Sequence, residues 1–81
     1  MEFRKPSEVS VKPVERVAGK PSIGQQVFAA RTAKGWTQMQ LWEHSRVALY
    51  TISGLERGTI TQPNAKTIVK LQNALGIIIE I

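Results

Sequence analysis

Two helix-start signals of the same kind constrain this chain more than any other feature. Ser22 is followed three residues later by Gln25, and Thr37 is followed three residues later by Gln40. In such a capping box the hydroxyl accepts the N–H of the third helical residue, whose own side chain returns to the cap N–H. Gly35 stands between the two boxes, where a left-handed residue can end the first helix. Two starts separated by one stop leave room only for short helices joined by tight turns.

The rest of the chain is punctuated in the same way. Ile23, Val27 and Ala30 repeat at helical spacing and give the first helix a core face. Trp36 precedes the second cap and Leu41 is four positions into the second helix, the arrangement of a hydrophobic staple, so Trp36 reads as structural. The second helix is expected over about 38–45. A third, over about 49–57, turns Ile52 and Leu55 inward with Val47 before it and ends at Gly58. Asn64 can cap a fourth, in which Ile68, Leu71 and Leu75 repeat before Gly76. The fold class expected is all-α, a compact four-helix domain over residues 22–76.

The two ends read differently. Residues 1–21 hold three of the four prolines and few large apolar groups, so they read as an extended arm. Within it "SEVSVKP" alternates polar and apolar, and the tail "IIIEI" over 77–81 is β-branched. Both patterns suit short strands, and a small β-ribbon between the ends is the corresponding expectation. The opening "MEFRKPSEVS" lacks the apolar centre of a signal peptide, no stretch is apolar enough to span a bilayer, and cysteine is absent. A cytoplasmic protein without membrane contact is expected.

Catalysis finds little to work with. The sequence has no Cys and no Asp, a single His, His44, and six Glu scattered along its length. Nucleophile–base sets and metal sites need several such groups converging, so no enzyme activity, small-molecule substrate, metal or cofactor is expected. His44 reads as a solvated surface residue. The net charge of +5 admits a polyanion partner, but it is spread thinly. Residues 1–21 carry five Lys/Arg against three Glu, and the remainder carries six against three.

A helix, a short turn and a second helix, with Leu41, Val47, Ile52 and Leu55 apolar, match a helix-turn-helix unit. The runs "IGQQVFAARTAKGWTQMQL", "TISGLERG" and "TQPNAKTIVKLQNALG" resemble the Cro/C1-type helix-turn-helix domain, also known as the XRE or λ-repressor-like family, over about residues 22–76. The resemblance implies an internal salt bridge between Arg31 and Glu56. It also implies that Thr37 and Gln38, at the start of the second helix, approach phosphate. Base-reading side chains would come from the positions of Ala48, Leu49, Tyr50 and Gly54.

Those positions depart from what base reading asks. Arg, Lys, Asn and Gln match base edges with paired donors and acceptors, whereas Ala48, Leu49 and Gly54 offer none and Tyr50 offers one hydroxyl. Trp42 stands where relatives carry a small residue, and Arg46 where the turn carries a left-handed Gly. Met39 and Phe28 replace polar side chains. Phe28, Met39, Trp42, Arg46, Leu49 and Tyr50 together have the composition of a protein-binding patch, with Trp42 expected to face outward. Remodelling of a scaffold, natural or engineered, would leave such a pattern. This face therefore favours a protein partner, a second copy of the chain included. The alternative is a DNA-binding regulator, with Lys34, Thr37, Gln38 and Arg46 as phosphate contacts.

Overall fold

A computed structural model of the chain describes residues 20–81. Four helices follow one another: α1 (Ile23–Ala33), α2 (Gln38–Ser45), α3 (Leu49–Arg57) and α4 (Ala65–Leu75). Both capping boxes form, with Gln25 N–H donating to Ser22 Oγ and Gln40 N–H donating to Thr37 Oγ1, each at 3.1 Å. Asn64 caps α4 by accepting the Thr67 N–H at 2.8 Å. After α1, Gly35 adopts φ +72°, and the Trp36 N–H turns back to the Arg31 carbonyl at 3.1 Å. That Schellman closure reverses the chain within a few residues.

α1 packs on α3 and α4, and α2 packs on the same two helices. Their shared interior holds Val27, Leu41, Val47, Ile52, Leu55, Leu71 and Leu75, and Ile79 joins it from the tail. Trp36 lies against this core, as the staple requires, and Ile23, Ala30 and Ile68 flank it.

The described residues contain no strand, so the expected ribbon is corrected at its C-terminal half. Residues 77–81 instead lie along the helices, held by two side-chain amides. Glu80 N–H donates to Gln26 Oε1 at 2.8 Å and Gln26 Nε2 donates to the Glu80 carbonyl at 2.7 Å. Ile79 N–H donates to Gln72 Oε1 at 2.8 Å. A β-branched run favours an extended backbone, but here the Ile79 N–H and both Glu80 backbone groups bond to side-chain amides. The strand-like "SEVSVKP", and most of the expected arm, fall outside the described residues.

One close approach in the fold rests on a glycine. A Cβ added at Gly24 would stand 1.7 Å from the Leu55 carbonyl oxygen and 2.6 Å from its carbon. α1 therefore meets α3 backbone to backbone at this point, and a methyl group has nowhere to go. Gly24→Ala is expected to destabilise the domain by about 3 kcal/mol, at the upper end for overpacking. Gly35→Ala, with nothing within 4 Å and only a positive φ to contend with, should cost about 1 kcal/mol. Urea unfolding of the two variants checks both the order and the gap.

Candidate nucleic-acid interface

The face is built outward from one ionic cluster. Arg31, on α1, donates from Nε to Glu56 Oε2 at 2.7 Å and from Nη2 to Oε1 at 2.8 Å, a bidentate pair across to α3. Its Nη1 also donates to the Trp36 carbonyl at 2.6 Å. The two side chains retain only 11% and 6% of their exposure, so neither charge is left for a ligand. The hydrogen bond to the Glu56 carboxylate, and then its charge, raise the Arg31 pKa against an opposing effect of burial. The carboxylate thus holds the guanidinium in its charged form.

Gln38 Nε2 donates to the same Glu56 carboxylate at 3.0 Å. This bond turns the Gln38 Nε2 into the cluster, so an approach to phosphate at this position rests on its backbone N–H. Thr37 is committed too: its hydroxyl caps α2 and its N–H donates to Gln40 Oε1 at 2.8 Å. What the start of α2 still offers an anion is the backbone N–H of Gln38 and Met39, which have no intrahelical acceptor.

The turn into α3 is strained at one residue. Arg46 closes α2 in the left-handed conformation, φ 63° and ψ 20°, with its N–H donating to the Trp42 carbonyl at 2.7 Å. Buried Ser45 accepts the Val47 N–H at 3.1 Å and shapes the same turn, a role its sequence did not announce. The Arg46 guanidinium lies 5.4 Å from the Trp42 ring centroid. Trp42 was expected to face outward, but it is half-buried and packs against the core. A large ring next to an apolar interior buries what it can, and Arg46 covers part of the rest.

α3 presents a more polar face than its first residues suggest. Leu49 and Tyr50 do point outward, Leu49 at 38% and Tyr50 at 80% exposure. Gly54 does not: it is buried, and a Cβ there would meet Ile60 Cδ1 at 2.5 Å. Gly54 is thus corrected as a reading position, since it seats the loop that leaves α3. The outward stripe instead runs Tyr50, Ser53, Arg57 at helical spacing. Arg57 Nη2 donates to Ser53 Oγ one turn earlier. Their i+3 and i+7 spacing from Tyr50 is the sequence signal that places them on this face. Ala48, at the N-cap, makes no side-chain cap, so the first N–H groups of α3 also lack a side-chain acceptor.

Of the other expected residues, Phe28 and Met39 are exposed at 51% and 52%. Phe28 carries the Arg31 guanidinium carbon 5.3 Å from its ring centroid. Lys34 Nζ lies 5.1 Å from the Trp36 centroid. His44 is exposed as expected, yet not simply solvated: its ring stacks on Trp36 at 4.1 Å, 2° from parallel. Among the described residues no group of three or more His, Cys, Asp or Glu could hold a metal. Likewise, no helix there is long and apolar enough to cross a membrane.

A helix-turn-helix unit buttressed by α1 and α4 is therefore in place. The family model described as helix-turn-helix matches residues 27–79, well over half the chain. The chain belongs to the Cro/C1-type helix-turn-helix family. That is a family of DNA-binding domains and not of enzymes. No curated protein and no solved structure matches the chain. In it α2 and α3 are the first and second helices of the helix-turn-helix motif.

The left-handed Arg46 yields a prediction about this turn. Replacement by Gly removes the backbone strain, whereas replacement by Ala keeps it; both lose the contact with Trp42. Arg46→Gly should be more stable than Arg46→Ala by about 1 kcal/mol, measured by thermal unfolding. Equal stabilities would mean that the turn relaxes out of the left-handed region.

Proposed function

We propose that this domain binds duplex DNA with α3 directed into the major groove. The observation that carries the reading is the outward stripe Tyr50, Ser53, Arg57 on the second helix of a helix-turn-helix unit. Tyr50 and Ser53 supply hydroxyls and Arg57 a guanidinium, so the helix carries hydrogen-bonding groups despite its apolar first turn. Exposed Arg46 precedes it, exposed Lys34 stands over Trp36 at the entry to α2, and the free N–H groups at the start of α2 and α3 add neutral phosphate donors. Glu56, the one carboxylate on α3, is held by Arg31 and Gln38 and does not repel the duplex.

Three exposed cations set the salt dependence. If Lys34, Arg46 and Arg57 each neutralise a phosphate, affinity should fall about 40-fold between 50 and 200 mM salt. Fluorescence anisotropy against a randomised duplex pool measures this. Arg57→Ala should flatten the slope of log K against log salt by about one unit if it contacts phosphate, or change the selected sequence if it contacts a base. Absence of salt-sensitive binding would overturn the reading.

A second reading, a protein-binding surface, is favoured by the exposure of Phe28 and Met39 on α1 and α2. There Phe28, Met39, Leu49 and Tyr50, with Arg46 and the free edge of Trp42, would anchor a protein, and a second copy of the chain is the partner easiest to test. Sedimentation equilibrium should then detect self-association that Phe28→Ser/Met39→Ser abolishes. DNA affinity per monomer unchanged by that double substitution would separate this surface from the reading helix.

A further inference from the structure

The first turn of α3 is the part of a helix-turn-helix domain that meets base edges. Here that turn is largely apolar at its surface, its polar side-chain atoms being the hydroxyls of exposed Tyr50 and half-buried Thr51. Ala48 is exposed and ends in a methyl group, Leu49 exposes 38% of its surface and Tyr50 80%. The side-chain amides at the start of α2 are each held in place by one bond within the fold: Gln38 Nε2 donates to Glu56, and Gln40 Oε1 accepts the Thr37 N–H within the capping box. Gly54, one turn on, is buried. Arg57, the long polar side chain of α3 that remains, is two turns from Leu49 and tethered to Ser53.

An apolar surface in the major groove has one kind of base-edge partner. Guanine, adenine and unmodified cytosine present donors and acceptors there, while thymine also presents its C5-methyl group. A cytosine methylated at C5 carries the same group in the same place. Resting on the DNA-binding reading above, we infer that α3 selects its site through the C5-methyl groups of pyrimidines, with Leu49 as the principal reader and Ala48 and Tyr50 beside it.

The groove is the occupant that the charges favour. α3 has no unpaired carboxylate, because Glu56 is bound by Arg31 and Gln38, and exposed Arg46 and Arg57 stand at its two ends. Those cations draw in a polyanion, and any contact they make to phosphate positions it without reading sequence. Discrimination is then left to the apolar turn between them. Burying one methyl group against Leu49 is worth about a fourfold change in affinity. Two such methyl groups would separate sites by more than tenfold without a single bidentate contact.

The test uses the full chain and a duplex recovered from the randomised pool. Each thymine is replaced in turn by deoxyuridine, which removes the methyl group and leaves pairing intact. Binding should weaken about fourfold at one or two positions. In Leu49→Ala, whose side chain lies at the surface and whose fold circular dichroism checks, the same replacements should cost less than twofold. Duplexes carrying cytosine or 5-methylcytosine at those positions identify the source. Recovery by 5-methylcytosine means that either methylated pyrimidine is read, and no recovery means thymine alone. A duplex fully substituted with deoxyuridine that binds as tightly as the original overturns the inference while leaving DNA binding intact. Failure of every duplex to bind would instead remove the DNA-binding reading, and this inference with it.

Discussion

The fork between Arg31 and Glu56 is the interaction on which the rest of the structure depends. Two parallel hydrogen bonds fix the distance and the rotation of α1 relative to α3. The third guanidinium nitrogen holds the Trp36 carbonyl, and Gln38 joins the carboxylate from the first turn of α2. One cluster thus ties three helices at the point where the chain passes from α1 to α2. Breaking a pair this buried leaves an uncompensated charge, which in general costs about 3–5 kcal/mol. Its satisfied state is what lets a small, largely aliphatic core remain in one arrangement.

Backbone geometry carries that arrangement to the outward face. Gly24 allows α1 to lie directly on the Leu55 carbonyl, so no side chain separates the two helices there. At the other end of α3, Arg46 and Ser45 shape the turn from α2, Arg46 by a left-handed residue and Ser45 by a buried hydroxyl. Together these contacts leave α3 little freedom to roll. Its inward residues, Ile52 and Leu55, are buried, and Tyr50, Ser53 and Arg57 are turned outward as a consequence.

Function follows from which polar groups the packing leaves free. Gln38, Gln40, Thr37 and Arg31 would look in isolation like ready DNA contacts, yet each is committed to another protein group. Ser53 and Arg57 are less conspicuous and bond to each other, but half-buried Ser53 and exposed Arg57 lie on the same helical stripe as Tyr50. An apolar patch argues for a protein partner when it is considered alone. On the outward helix of a helix-turn-helix domain, the same surface suits the methyl-lined floor of a DNA groove. The two readings differ in how they weigh Phe28 and Met39, which lie outside α3.

Much of this fold was legible in the sequence because its signals are local. Capping boxes, glycine stops and helical periodicity act within one or two turns, so the bounds of all four helices and most of the core could be read directly. The salt bridge of Arg31 with Glu56 came from family resemblance, since nothing local links residues so far apart. Tertiary packing decided the rest. It drew Trp42 toward the core, stacked His44 on Trp36, buried Gly54 under Ile60, and laid the tail on Gln26 and Gln72 instead of on a strand. In each case a side chain met a partner distant in sequence or on another element. The sequence by itself determined where helices begin and end, because hydrogen bonds within a turn depend on near neighbours. Only the folded chain decided which polar groups remain free to meet a ligand, because that depends on what every other element leaves unsatisfied.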